Sequence, residues 1–161
     1  MLQQKKTEKK EEREILVFNL QDEQMGLDIS CVREVLRPQE IHPLVHAPDF
    51  IEGVIYVRKF VLAVISLRKR FHIEPLKNAS KARIIICKVN NMIVGLIVDS
   101  VVEVLRVPVR NIQAPPEILS VQKKGSYMSG LAKVDQRVIT LLDLGKILTP
   151  EELAHLSGIK S

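Results

Sequence analysis

Residues 26–37 read GLDISCVREVLR, and residues 95–106 read GLIVDSVVEVLR. The two stretches lie 69 positions apart, with Gly26-Leu27 over Gly95-Leu96, Ile29 over Val98, Val32 over Val101, and Glu34–Arg37 over Glu103–Arg106. A second pair of blocks aligns at an offset of 77, placing Gly53, Val57, Val61, Leu67 and Lys69 over Gly130, Val134, Val138, Leu144 and Lys146. The chain therefore contains one unit twice, and a solenoid, which needs shorter and more numerous repeats, is excluded. The eight extra residues of the second copy fall between its blocks, where Pro115-Pro116 and Lys123-Lys124-Gly125-Ser126 supply loop chemistry.

Within each copy the apolar pattern is that of strands. Glu14 to Leu20 and Met25 to Ile29 flank a turn at Asp22-Glu23-Gln24, and Arg83 to Val89 and Met92 to Val98 flank Asn90-Asn91. Short helical turns are expected at Ser30 to Arg33 and at Asp99 to Val102, because Ser and Asp are good N-caps. The EVLR sequence forms the next strand. Then come Gly53 to Val57 and Phe60 to Leu67, joined at Arg58-Lys59, matched in the second copy by Gly130 to Val134 and Arg137 to Leu142, joined at Asp135-Gln136. Each half thus offers about five short strands, the content of a small closed barrel with few free edges. Leu144, Ile147, Leu148, Leu153 and Leu156 recur at helical spacing, and Thr149-Pro150-Glu151-Glu152 makes a helix start.

A chain of 161 residues is long enough for a sizeable core, and with no tryptophan, four phenylalanines and two tyrosines that core must be Val, Ile and Leu. The net charge of +5 raises the question of nucleic acid. The charges of the first fourteen residues nearly cancel, and the tail of residues 1–13 is expected to stay solvated. A denser basic group follows at Arg68, Lys69, Arg70, Lys77, Lys81 and Arg83. A small β-barrel that binds nucleic acid is the alternative this composition allows, but aromatic platforms for stacking bases are scarce. No apolar run approaches the roughly 18 residues of a membrane span and the charged N-terminus has no signal core, so a cytoplasmic location without membrane insertion is expected.

Chemistry is sparse. His42 and His46 are four apart, but Pro43 between them opposes a helix and no third ligand is near in sequence, so no metal is expected. Cys31 and Cys87 sit singly in apolar stretches and read as buried thiols. Ser66, Ser126 and Ser129 lack a nucleophile motif. Glu34 and Glu103, at equivalent positions of both copies, suit a structural or surface role better than a catalytic one. No cofactor and no enzymatic activity are expected, and the duplicated barrel reads as a binding platform.

Residues 17–37, VFNLQDEQMGLDISCVREVLR, together with Ala47 to Ile55, Ser66 to Phe71, Asp99 to Val104, Gly130 to Asp135 and Leu141 to Leu144, resemble the CheW family. The resemblance implies a mainly β fold of two SH3-like five-stranded barrels with short C-terminal helices. Its expected limits are 14–157, with a first barrel over 14–80, a second over 81–148 and a C-terminal helix within 143–157. It also implies an adaptor that couples chemoreceptors to the histidine kinase CheA in a signalling array, with contacts to other CheW-like domains. On the family pattern Val32, Gly53 and Arg58 match receptor-contacting positions, and the kinase surface falls around Arg37, Ile41 and Leu44. This chain departs from the family at Tyr56-Val57-Arg58-Lys59, where the turn glycine is replaced by Lys59. Either Lys59 adopts a left-handed backbone or the turn is rebuilt. Ala63 and Ser66 stand where proline and aspartate are usual.

Overall fold

The structure, a computed structural model, describes residues 11–115, 127–152 and 154. The strands are β1 (Glu12–Leu20), β2 (Glu23–Asp28), β3 (Val32–Leu36), β4 (Ile51–Val57), β5 (Phe60–Ser66), β6 (Arg83–Val89), β7 (Met92–Val98), β8 (Ser100–Pro108), β9 (Ile112–Gln113), β10 (Met128–Val134) and β11 (Arg137–Leu142). Two short helices follow strands: α1 (Leu67–Arg70) after β5 and α2 (Leu144–Ile147) after β11. The expected mainly β class is what the chain adopts. β1 already includes Glu12 and Arg13, which the sequence reading assigned to the tail.

The strands form two sheets, ordered β8-β1-β2-β11-β10-β9 and β3-β6-β7-β5-β4. This corrects the division at residue 80. Strands β3 to β7 form the second sheet from one uninterrupted run of chain, while the first sheet joins β1 and β2 to strands more than 70 residues later. Each repeat has given its first hairpin to the other: β1 pairs with β8 and β2 runs parallel to β11, just as β6 pairs with β3 and β7 runs parallel to β5. Chain connectivity dictates this exchange. Only Asp99 separates β7 from β8, too little for a hairpin, so the chain continues into the other sheet. The repeat itself is silent on the matter, because duplicated strands are interchangeable pairing partners.

The exchanged hairpins are apolar on both faces, and the packing uses both. Ile15 and Val17 of β1 line the interior of the first sheet with Val107, Ala132, Ile139 and Leu141, whereas Leu16, Phe18 and Leu20 enter a core shared by the two sheets. On β6, Ile84 and Ile86 line the second sheet's interior, and Ile85, Cys87 and Val89 join the shared core. Alternation with period two thus feeds two cores at once. The repeated glycines of β2 and β7 have one cause: a Cβ on Gly26 would lie 2.4 Å from Ile15 Cγ2, and one on Gly95 2.8 Å from Ile84 Cγ2.

Local capping follows side-chain chemistry, with two shifts from expectation. The first helical turn is a 3-10 turn at Ile29–Cys31, capped by Asp28, whose Oδ1 accepts from the Ser30 amide and hydroxyl at 3.0 and 2.7 Å. No turn forms over 99–102, because Ser100 onward is already β8. Ser66 caps α1 by accepting from the Lys69 amide at 3.2 Å, so it performs the task open to the family's aspartate. Leu144, Ile147 and Leu148 pack into the shared core. Residues 150–152 open a further helix with a reciprocal cap, the Glu152 amide donating to Thr149 Oγ1 at 3.1 Å and the Thr149 amide to Glu152 Oε1 at 2.7 Å. The expected helical positions beyond, and the loop at 116–126, lie outside the described residues.

Candidate functional site

In the second sheet β3 and β4 are the two edges, and the side chain that links them is Arg58. It sits in the β4–β5 turn and donates through Nη1 and Nη2 to Glu34 Oε1 and Oε2 on β3, at 3.0 and 3.1 Å. The pair raises the arginine pKa further, through these hydrogen bonds and the carboxylate's charge. It remains open to solvent, with Arg58 70% exposed. The second repeat has a counterpart: Arg137, at the start of β11, forms an ion pair with Glu103 on β8 at 3.0 Å and donates Nε to Gln24 Oε1 at 3.0 Å. The repeated glutamate of EVLR therefore anchors an arginine from a later hairpin in each sheet.

Of the two outcomes open at the turn, the rebuilt one is found: Arg58, and not Lys59, carries the positive φ, at 56°. Gln21, Asn90 and Asp135 open the other three hairpin loops the same way, at 57°, 45° and 55°. In the β6–β7 loop Asn91 is left-handed as well, at 68°.

Gly53 is buried on β4 with φ 148°, and a Cβ there would lie 2.2 Å from the carbonyl oxygen of His42. That close approach lets His42 and Val54 exchange backbone hydrogen bonds at 2.8 and 2.9 Å, which holds the 37–50 connection against β4. Gly53 thus shapes a surface instead of forming one. Within the connection Arg37 and Leu44 are exposed, while Ile41 packs against the second sheet's interior. Val32, half-buried on β3, packs on the shared core beside Cys87, its partner in register. Val32 and Arg58 are brought together only through Glu34. The same elements expose Val35, Val45, Tyr56 and Phe60, the last two 59% and 68% exposed, and the Tyr56 ring lies edge-on to His42 at 5.1 Å. Sequence reasoning missed Glu34 as the partner of Arg58, although its recurrence in both repeats was the available signal.

The basic group is largely committed to internal partners. Arg68 binds Asp99 through two hydrogen bonds of 2.7 Å, Lys69 pairs with Glu52 at 2.8 Å, and Arg70 pairs with Glu152 at 2.8 Å while lying over the Phe50 and Tyr127 rings. Arg83 donates to the Ala82 carbonyl at 2.7 Å. This leaves little of the positive stripe that a nucleic-acid backbone requires. His42 and His46 are exposed on the loop, and among the described residues no three His, Cys, Asp or Glu side chains converge as metal ligands. Burial pushes the Cys87 thiol up to about 12, which makes it unreactive. No helix among the described residues is long and apolar enough to cross a membrane.

The two sheets exchange their first hairpins, and the β4–β5 hairpin of the second exposes Arg58, Tyr56 and Phe60. The family model for the CheW-like domain matches residues 14–152. The chain belongs to the CheW family. It is 30% identical to the chemotaxis protein CheW of Klebsiella aerogenes, over 91% of this chain and 88% of that one. Identity is also 30% to the CheW of Thermotoga maritima, covering 92% of this chain and 94% of the relative. The crystal structure of the scaffolding protein TtCheW from Thermoanaerobacter tengcongensis superposes with a TM-score of 0.80 at 35% identity, covering 87% of this chain and 94% of that one. As a CheW-family protein it is a non-enzymatic chemotaxis scaffold, and the nucleic-acid alternative falls away.

Proposed function

We propose that this CheW-family chain couples chemoreceptors to the histidine kinase CheA, working in the cytoplasm at membrane-associated receptor arrays. Receptor contact is assigned to the corner of Val32, Gly53 and Arg58, and kinase contact to Arg37, Ile41 and Leu44, with other CheW-like domains as further partners. The observation that carries this reading is the solvent-exposed Arg58–Glu34 pair that spans the two edges of the second sheet, on a hairpin that also exposes Phe60 and, on its opposite face, Tyr56. Arginine and tyrosine are enriched among the residues that dominate the energy of protein interfaces. In this assignment Val32 and Gly53 act from beneath, the one by holding β3 on the shared core and the other by seating the 37–50 connection.

The test is Arg58→Ala, read in three ways on one preparation. Receptor-fragment affinity should fall about tenfold, in line with the loss of an interface arginine. Affinity for the kinase's regulatory domain should stay unchanged, and the melting temperature should move little, because the side chain is exposed. Unchanged receptor affinity would refute the assignment of Arg58. Failure of the parent chain to bind either partner would refute the coupling function itself.

A further inference from the structure

The chain crosses between the sheets twice, and the two crossings are built differently. The first, from β2 to β3, is the 3-10 turn capped by Asp28, whose bonds stay within residues 28–30. The second, from β7 to β8, is Asp99 alone. Around it converge two segments distant in sequence. Arg68 of α1 donates Nε and Nη2 to the two carboxylate oxygens at 2.7 Å, the Gln21 amide of the β1–β2 turn donates to Oδ2 at 2.7 Å, and the Asp99 amide donates to the Asn19 carbonyl at 3.1 Å. Asn19 Nδ2 also donates to Ser100 Oγ at 2.8 Å, and Arg68 Nη1 to the Glu74 carbonyl. Both charged side chains are nearly covered, at 15% and 13% exposure.

α1 continues the second sheet, while Asn19, Gln21 and Ser100 belong to the first, so this network joins the two sheets directly. The shared core joins them too, but apolar contact is non-directional and tolerates sliding. A two-pronged arginine–carboxylate pair fixes direction as well as distance. We infer that Arg68 and Asp99 are positioning residues: they set the angle between the two sheets without touching a partner.

The experiment replaces the pair by apolar residues of similar size, Arg68→Met with Asp99→Leu. Exchanging a covered ion pair for apolar side chains is commonly neutral for stability, whereas Asp99→Asn alone leaves Arg68 covered and unpaired. Spin labels at Lys133→Cys on β10 and Lys88→Cys on β6 report the distance between sheets. A Cys31→Ser background keeps labelling specific, since Cys87 is fully buried. The double variant should melt near the parent temperature and show a broadened or shifted label distance. A parent-like melting temperature with an unchanged distance distribution would overturn the inference. If the double variant unfolds, Arg68→Lys, which keeps the charge and loses the fork, carries the same distance measurement.

Discussion

Replacing Gly53 by alanine should cost this protein far more than one methyl group suggests. The glycine holds φ 148°, and the new Cβ would meet a backbone oxygen, that of His42, at 2.2 Å. A side chain can rotate away from such a clash, but a carbonyl in a paired segment cannot. The left-handed backbone contributes roughly 1–2 kcal/mol of strain once a Cβ is present. Relieving the clash separates His42 from Val54 and breaks both of their backbone hydrogen bonds, about 0.5–1.5 kcal/mol each. The total is about 2–5 kcal/mol, which for a domain of this size lowers the melting temperature by roughly 10 °C. Gly130→Ala is the matched comparison: its Cβ would lie 2.7 Å from the Gln113 oxygen, a milder approach without a left-handed backbone, so its loss should be smaller. Circular dichroism melts of the two variants measure both. A Gly53→Ala protein melting within about 2 °C of the parent would refute the reasoning, since surface substitutions alone reach that range.

Three further outcomes follow from particular contacts. Burial alone would raise the Asp99 pKa, but the bonds from Arg68 and the Gln21 amide hold it below the ordinary carboxylate value. The native state therefore releases this proton more readily than the unfolded chain, so its stabilisation is complete above about pH 4 and is lost as the pH falls lower. Asp99→Asn should flatten the acid limb of a melting-temperature profile taken from about pH 7 to pH 3, and an unaltered acid limb would count against the pairing. Thr149→Ala should destabilise the C-terminal helix start by about 1 kcal/mol, visible as faster proteolysis after residue 150, because the Glu152 amide loses its cap. In the native protein a thiol reagent should label Cys31 and spare Cys87, with the second thiol reacting only in denaturant. Quantitative labelling of both without denaturant would contradict the buried placement.

The strand content, four tight hairpins and the doubled unit were legible because period-two alternation and turn residues are local properties. Which strands share a sheet was not legible, since Gly26 and Gly95 occupy the same environment in exchanged barrels as they would in separate ones. The informative residue was Asp99, read as a cap when its real significance is that it stands alone between two strands. At the candidate site, Arg58 was found by resemblance, and its partner Glu34 lay in the very repeat that exposed the fold. The resemblance left open whether Lys59, where a family glycine is usual, is left-handed; the positive φ falls on Arg58, and the first loop residue is left-handed in the other three hairpins too.

The uninterrupted run of the second sheet, enclosed by the two parts of the first, also sets an order of events during synthesis. The hairpin of β1 and β2 leaves the ribosome first, yet β8, its partner along the whole length of β1, ends at Pro108. At about 5–20 residues per second, roughly 5 to 20 seconds pass before that partner is available. In the interval the inner sheet can close, while the leading hairpin carries Leu16, Phe18 and Leu20 on one face and Ile15 and Val17 on the other with neither face covered. The β1–β2 hairpin is therefore open to aggregation and to chaperone capture until the later strands β8 and β11 are made.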